Sequence, residues 1–222
     1  MPNPTAHCYI DGFNLFYGAL KGHDDVKWLD LRAWCARLLP AYDIERVVYC
    51  TARTASRPDN PGVHQRQDQY IRALSATGVE VVEGNFRTRV TSMLRAPGHK
   101  CEGCDLTTGE CPRCGSRKIR VLKTEEKGSD VNLAVELVQD VYASSMDAAL
   151  VVSGDSDLQR AVDIAMDLHK RVFVLEPRNR PYAALIGHER RRARHQALVE
   201  CQLPNPVVLP SGTRLTCPED WY

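Results

Sequence analysis

The 222-residue chain is 43% hydrophobic and 26% charged, with a formal net charge of +1 and a sequence pI near 7.6. That length supports one core with at most an insertion, and the balanced charge excludes a uniformly basic nucleic-acid binder, so any nucleic-acid surface must be a local patch. No apolar run approaches bilayer-spanning length, and MPNPTAHCYIDG has no basic stretch leading into an apolar one, which predicts a cytoplasmic protein with no membrane contact.

HCYI, ending at Asp11-Gly12, reads as a buried first strand with an acid at its C-terminal end. A helix from about Leu31 to Leu39 follows, capped by Asp30 and closed by Pro40. RVVYCTA (Arg46 to Ala52) predicts a second strand, His64 to Ser75 a helix and Val79 to Gly84 a third strand. Val131, Ala134, Val135, Val138, Val141 and Tyr142 recur at helical spacing, which predicts an amphipathic helix after EEKGSD. Then come a strand at Ala148 to Val152, a helix from Ser156 to about Leu168 and a strand from Arg171 to Pro177. HERRRARH, His188 to His195, is expected on a helix, as an RNA-holding or merely solvated face. Strands alternating with helices predict an α/β domain around a mostly parallel sheet covered on both faces, with its site beyond the carboxyl ends of the strands. The whole chain, 1–222, is expected to form this one domain, with an insertion at 85–123 and an irregular Pro-containing tail at 204–222.

The insertion reads as two polar-alternating antiparallel strands, NFRTRVTSML and SRKIRVLKT, around CEGCDLTTGECPRC. Cys101, Cys104, Cys111 and Cys114 stand as CxxC, six residues, CxxC, whereas the other five of the nine cysteines are scattered. Four thiolates at that spacing suit a closed tetrahedral Zn²⁺ site, structural because no position is left for water; redox dithiols and an iron–sulfur cluster are the alternatives. From Arg87 to Lys123 nine basic residues face three acids. This makes Arg87, Arg89, Arg117, Lys118 and Arg120 candidate phosphate-backbone contacts, although charge on a hairpin also keeps edge strands soluble. Phe13, Phe16, Tyr17 and Phe86 are candidates for stacking on an unpaired base, with core packing the more ordinary assignment for at least two.

Asp11 and Asp155 each follow an apolar strand, Asp130 starts the amphipathic helix and Asp157 opens the next one. In a parallel sheet all four fall at one edge, where mutual repulsion calls for a hard cation, Mg²⁺ or Mn²⁺. Each acid alone is equally an N-cap or turn residue. Asn14 is placed to hydrogen-bond a carboxylate, water or phosphate. No Walker pattern and no Ser- or Cys-based triad is present.

YIDGFNL (Tyr9 to Leu15), EKGSDVNLAVELV (Glu126 to Val138) and VVSGDSDL (Val151 to Leu158) resemble, in order and character, the motifs of the NYN domain, the LabA-like branch of the PIN-like nuclease superfamily. The resemblance spans about residues 5 to 205 and implies a three-layer α/β/α PIN-like domain acting as a metal-dependent ribonuclease. It makes Asp11, Asp130 and Asp155 the core metal ligands, Asp157 a fourth acid and Asn14 a support. Lys127 and Ser129 fall in the second motif as possible RNA contacts, and Glu126 is either an extra acid or surface. The expected activity is endoribonuclease cleavage with catalytic Mg²⁺ or Mn²⁺ and structural Zn²⁺. A catalytically inactive RNA-binding module and a nuclease for single-stranded or flap DNA are the alternatives.

Overall fold

The structure, a computed structural model, describes residues 2–54, 60–94, 118–178 and 184–221. The chain divides into two compact units, Met1–Asn85 with Lys127–Tyr222, and Phe86–Glu126. Seven strands, β1 (Thr5–Asp11), β2 (Asp43–Ala52), β3 (Glu80–Leu94), β4 (Lys118–Lys127), β5 (Ala148–Val152), β6 (Arg171–Leu175) and β7 (Glu189–Arg191), hydrogen-bond in the order β4-β3-β2-β1-β5-β6-β7, and a separate pair, β8 (Val207–Val208) and β9 (Arg214–Leu215), lies in the C-terminal tail.

In the larger unit β1 (Thr5–Asp11) leads into α1 (Gly12–Leu15) and a π-helical turn, Phe16–Leu20, before α2 (Leu31–Leu38). Asp30 caps α2 as expected: its Oδ1 accepts from the Arg32 and Ala33 amides, both at 3.0 Å. β2 (Asp43–Ala52), α3 (Val63–Ala76) and the start of β3 (Glu80–Leu94) follow. The chain returns at the end of β4 (Lys118–Lys127), and Gly128, at φ 104°, turns it into α4 (Ser129–Tyr142). β5 (Ala148–Val152), a 3₁₀ turn at Ser156–Leu158, α5 (Gln159–Asp167) and β6 (Arg171–Leu175) complete the central β-α-β run. β1 pairs in parallel with β2 and β5, β2 with β3, and β5 with β6.

Alternate residues of these strands enter two cores, as the pleat requires. Ala6, Cys8, Ile10, Val47, Leu150 and Val152 pack with Leu31, Trp34 and Cys35 of α2 and Tyr70, Ala73 and Leu74 of α3. Tyr9, Val48, Cys50, Ala149 and Val151 pack with Leu133, Leu137 and Val141 of α4 and Val162 and Ala165 of α5. Each fully buried leucine in these layers contributes about 2 kcal/mol. Five cysteines, Cys8, Cys35, Cys50, Cys201 and Cys217, are buried free thiols. They pack as small apolar groups. Among the described residues no helix is long and apolar enough to cross a membrane.

A polar network ties α4 to the sheet. Asp140 accepts from the Tyr9 hydroxyl at 2.6 Å and from Arg46 at 2.7 Å, with His7 Nδ1 at 2.8 Å. Arg46 also reaches Glu80 at 2.6 Å and Glu136 at 2.8 Å. Burial opposes ionisation of Asp140, but the hydrogen bonds from Tyr9, His7 and Arg46 overrule it and hold the carboxyl below its usual range. A carboxyl with a lowered folded pKa stabilises the fold above its unfolded pKa, about 3.9, and loses that contribution as pH falls through the folded value. Urea melts are therefore expected to show a wild-type loss of stability on acidification that is smaller in Asp140→Asn, by about 1 kcal/mol once solvent screening of this partly exposed network is counted. An unchanged acid limb in the variant would rule the network out as its source.

Three stretches differ from the sequence expectation. The third strand does not stop at Gly84: β3 continues to Leu94, and within the smaller unit its later part partners β4, with Thr88 and Thr124 hydroxyls 2.9 Å apart. The His188 to His195 stretch is not helical. Glu189–Arg191 forms β7, parallel to β6, and α6 begins only at His195 (His195–Glu200). The arginines find partners there that a solvated helix would not offer: Arg190 lies 3.5 Å from Glu176, and Arg191 sits 4.7 Å over the Phe173 ring. The tail carries β8 (Val207–Val208) antiparallel to β9 (Arg214–Leu215), and Leu203, Val207, Leu215 and Cys217 are buried in the α2–α3 core. Apolar residues spaced irregularly around prolines hide such packing from a periodicity argument.

Candidate active site

Parallel register lines up the strand ends. Asp11 stands opposite Cys50, and Ser153 and Glu176 each follow a residue of the paired set Val152 and Leu175. The edge thus presents Cys50, Asp11, Ser153 and Glu176 from four adjacent strands, β2, β1, β5 and β6.

Asp11 is 2% exposed and caps α1. Its Oδ1 accepts the Asn14 amide at 2.9 Å, while Oδ2 accepts from the Asn14 side-chain amide and from Ser153 Oγ at 3.0 Å. Ser153 Oγ in turn accepts the Asp155 amide at 3.1 Å, and Asn14 Oδ1 accepts the Gly154 amide at 3.3 Å. These bonds clamp the end of β1 to the end of β5. Gly154 permits the close approach, since a Cβ there would sit 2.8 Å from the Glu176 side chain.

Asp155 caps the 3₁₀ turn, its Oδ1 accepting the Asp157 amide at 2.9 Å. The ordinary capping role is therefore filled by both Asp11 and Asp155, one oxygen of each being used on its own helix. Asp157 is exposed on that turn, and Asp130 is half-buried in the first turn of α4 beside buried Ser129. Both Asp11 and Asp130 act on Cys50, whose thiol is pushed up to about 12 by burial first and then by Glu136, Asp11 and Asp130. The structure thus gathers the motif acids at one edge without drawing them onto one point. Among the described residues, the group of three ligand-type side chains with ligand atoms within 4.8 Å of one another is His23, Asp25 and His195, not the motif acids.

The donor chemistry nonetheless fits a hard divalent cation. Burial pushes the Asp11 carboxyl above its usual range, against hydrogen bonds from Asn14, Ser153 and the Phe13 amide. All those donors are neutral, and no ion pair reaches Asp11 among the described residues. A buried carboxylate held only by neutral donors is one that a cation would relieve. Asp155 and Asp130 carry carboxylate oxygens of the same type.

Two residues escaped the sequence reading. Ser153 sits inside VVSGDSDL but is an alcohol among acids, and only the β1–β5 pairing reveals that it bridges Asp11 to Asp155. Glu176, 3% exposed, stands just past the end of β6 while Asp11 ends β1, so the rule of an acid at the end of a buried strand was available to find it.

Lys127 is exposed at the end of β4. In the smaller unit Arg87, Arg89, Lys118 and Arg120 are exposed, but Arg89 lies 3.4 Å from Glu125, and Lys123 pairs with the same carboxylate. Arg117 and the four clustered cysteines, Cys101, Cys104, Cys111 and Cys114, lie outside the described residues.

The profile of the NYN domain matches residues 6–186, which contain every motif acid. The chain belongs to the NYN domain family. Its α/β architecture is that of the PIN-like fold, a superfamily whose members are generally nucleases. The chain is 29% identical to the 6-hydroxy-3-succinoylpyridine 3-monooxygenase HspA of Pseudomonas putida (strain DSM 28022 / S16) over 247 residues, covering 96% of this chain and 74% of that protein. A crystal structure of a protein of unknown function from Vibrio parahaemolyticus RIMD 2210633 is similar at a TM-score of 0.47 and 16% identity, over 86% of this chain and 94% of that one.

Proposed function

We propose that this NYN domain, of the LabA-like type, is a cytoplasmic metal-dependent endoribonuclease. Asp11, Asp130 and Asp155 would hold Mg²⁺ or Mn²⁺, with Asp157 as a fourth acid. The observation that carries the reading is the Asp11 carboxylate, buried at the sheet edge among neutral donors and clamped to the Asp155 loop. A metal held by these carboxylates would supply an activated water and stabilise charge on the phosphodiester. The chain's own residues do the positioning. Asn14 and Ser153 fix both oxygens of Asp11, so its geometry needs no reorganisation when substrate arrives. Exposed Lys127, close to Asp130 in the chain, is proposed to meet the RNA backbone, as are Arg87, Arg89, Arg117, Lys118 and Arg120 of the insertion, whereas Ser129 is too buried for such a contact. The deciding assay is cleavage of a labelled RNA pool in Mn²⁺ with an EDTA control, matched against DNA of the same sequence. Metal-dependent RNA cutting carries the proposal, whereas RNA binding without cutting would make the domain a regulatory module.

Cys101, Cys104, Cys111 and Cys114 are proposed to hold one structural Zn²⁺. Cys104→Ser is expected to release the zinc, measured as metal per chain, and to raise KM for RNA more than it lowers kcat. A full zinc complement in the variant would dismiss the site.

A second reading rests on the relative's name. A chain similar over nearly its whole length to a monooxygenase of 6-hydroxy-3-succinoylpyridine would itself oxidise a pyridine-type acid. Oxygen uptake with that compound, NADH and added flavin tests it, and no uptake above the substrate-free rate removes it.

A further inference from the structure

Beside the acid edge lies a cavity of about 360 Å³ that the proposed phosphodiester chemistry does not use. Gly12, the residue after Asp11, forms part of its wall. Six aromatic side chains line it: Phe13, Phe16, Tyr17, Tyr49, Tyr70 and Trp221. Phe16 and Tyr17 meet at 5.3 Å and 80°, Tyr49 and Tyr70 at 6.4 Å and 81°, and Tyr70 and Trp221 at 5.8 Å and 72°. These pairs are edge-to-face, a geometry that aromatic rings favour.

The lining also carries Lys21, Lys27 and Arg66 against the one carboxylate of Asp220. Lys27 already pairs with Asp24, and Arg66 lies 2.9 Å from Asp220. Lys21 is exposed, its ammonium 5.0 Å from the Tyr17 ring centroid, with no carboxylate paired to it among the described residues. The volume sits at the lower end of the range for small-molecule sites, about 300–1,000 Å³, so it suits one substituted ring rather than a peptide or a duplex.

We propose that this cavity binds a planar aromatic ring bearing an anionic group, the ring against the aromatic wall and the anion at Lys21. Two sources share that chemistry, a nucleotide of an RNA chain and a free aromatic carboxylic acid. In either case the bound ring lies next to the Asp11 edge, so the cavity decides which molecule is presented to it.

Tryptophan fluorescence reports occupancy, because Trp221 is in the wall. The whole protein, in buffer without added metal, is titrated separately with uridine 5′-monophosphate, nicotinate and cyclohexanecarboxylate. The expected result is saturable binding of at least one aromatic anion, at least tenfold tighter than cyclohexanecarboxylate and weakened about tenfold by Tyr17→Ala and by Lys21→Glu. Tyr17 is 46% exposed and Lys21 is on the surface, so both variants are expected to fold, which circular dichroism checks. Binding of uridine monophosphate that a short RNA displaces assigns the nucleotide source, and binding of nicotinate alone assigns the free acid. Equal binding of cyclohexanecarboxylate, no saturation by any probe, or binding indifferent to both substitutions overturns the proposal. Because the titration contains no added metal and measures no cleavage, its outcome is independent of whether the domain cuts RNA.

Discussion

Asp155→Asn is expected to lower RNA cleavage about a thousandfold, on the order of 4 kcal/mol of transition-state stabilisation, with the fold intact. The substitution separates the two roles that Asp155 combines. Asn is as good an N-cap as Asp, so the Asp157 amide, 2.9 Å from Oδ1, keeps its acceptor while the charge disappears. A pure cap would leave the rate untouched; a metal ligand would not. Asp11→Asn is expected to behave the same way in the assay and in a second readout. Excess Mn²⁺ should stabilise the wild type by about 2.7 kcal/mol at a hundred times Kd and should leave Asp11→Asn unmoved. Full cleavage by either variant would return these acids to their local capping roles.

Trp34→Ala is expected to cost about 3–5 kcal/mol, a large part of a domain's total stability, read from urea unfolding. Trp34 is fully buried on α2, within the core shared with β1, β2 and α3. Its removal leaves a cavity within that core, which the surrounding side chains close only in part. Its indole Nε1 also has no hydrogen-bond partner among the described residues. Trp34→Phe removes that orphan donor, whose burial costs about 1–3 kcal/mol, along with some packing volume, and should lose far less than the alanine variant. If the two variants were equally destabilised, packing volume would not be what the residue contributes.

Much of this molecule was readable from local pattern. Apolar runs mark β1, β2, β5 and β6 because strands buried on both faces read as continuous hydrophobic stretches. Helical spacing marks α4, and Asp30 before Leu31 marks the start of α2 through a hydrogen bond spanning only three residues. The expectation that acids stand at the carboxyl ends of the strands placed Asp11 and Asp155 at one edge, and applied once more it would have added Glu176.

What only the tertiary structure decided are features whose partners lie far apart in the chain. Ser153 matters through Asp11, 142 positions away, and no local spacing encodes that bond. The arginines from 190 to 191 looked like a solvated helix because charge density was the sole local signal, whereas pairing with β6 and contact with Glu176 and Phe173 made them part of the sheet edge. The tail resisted reading for the same reason: its buried residues are positioned by the α3 surface and by Trp28 and Tyr70, not by a repeat of their own. The sequence by itself determined which side chains could do chemistry and, outside the 188–195 stretch and the tail, which segments would be strands or helices, since those choices follow from residue type and period. The meeting of strand ends, the clamp that holds Asp11 and the aromatic cavity beside it come from long-range packing, where contact rather than sequence neighbourhood sets the energy.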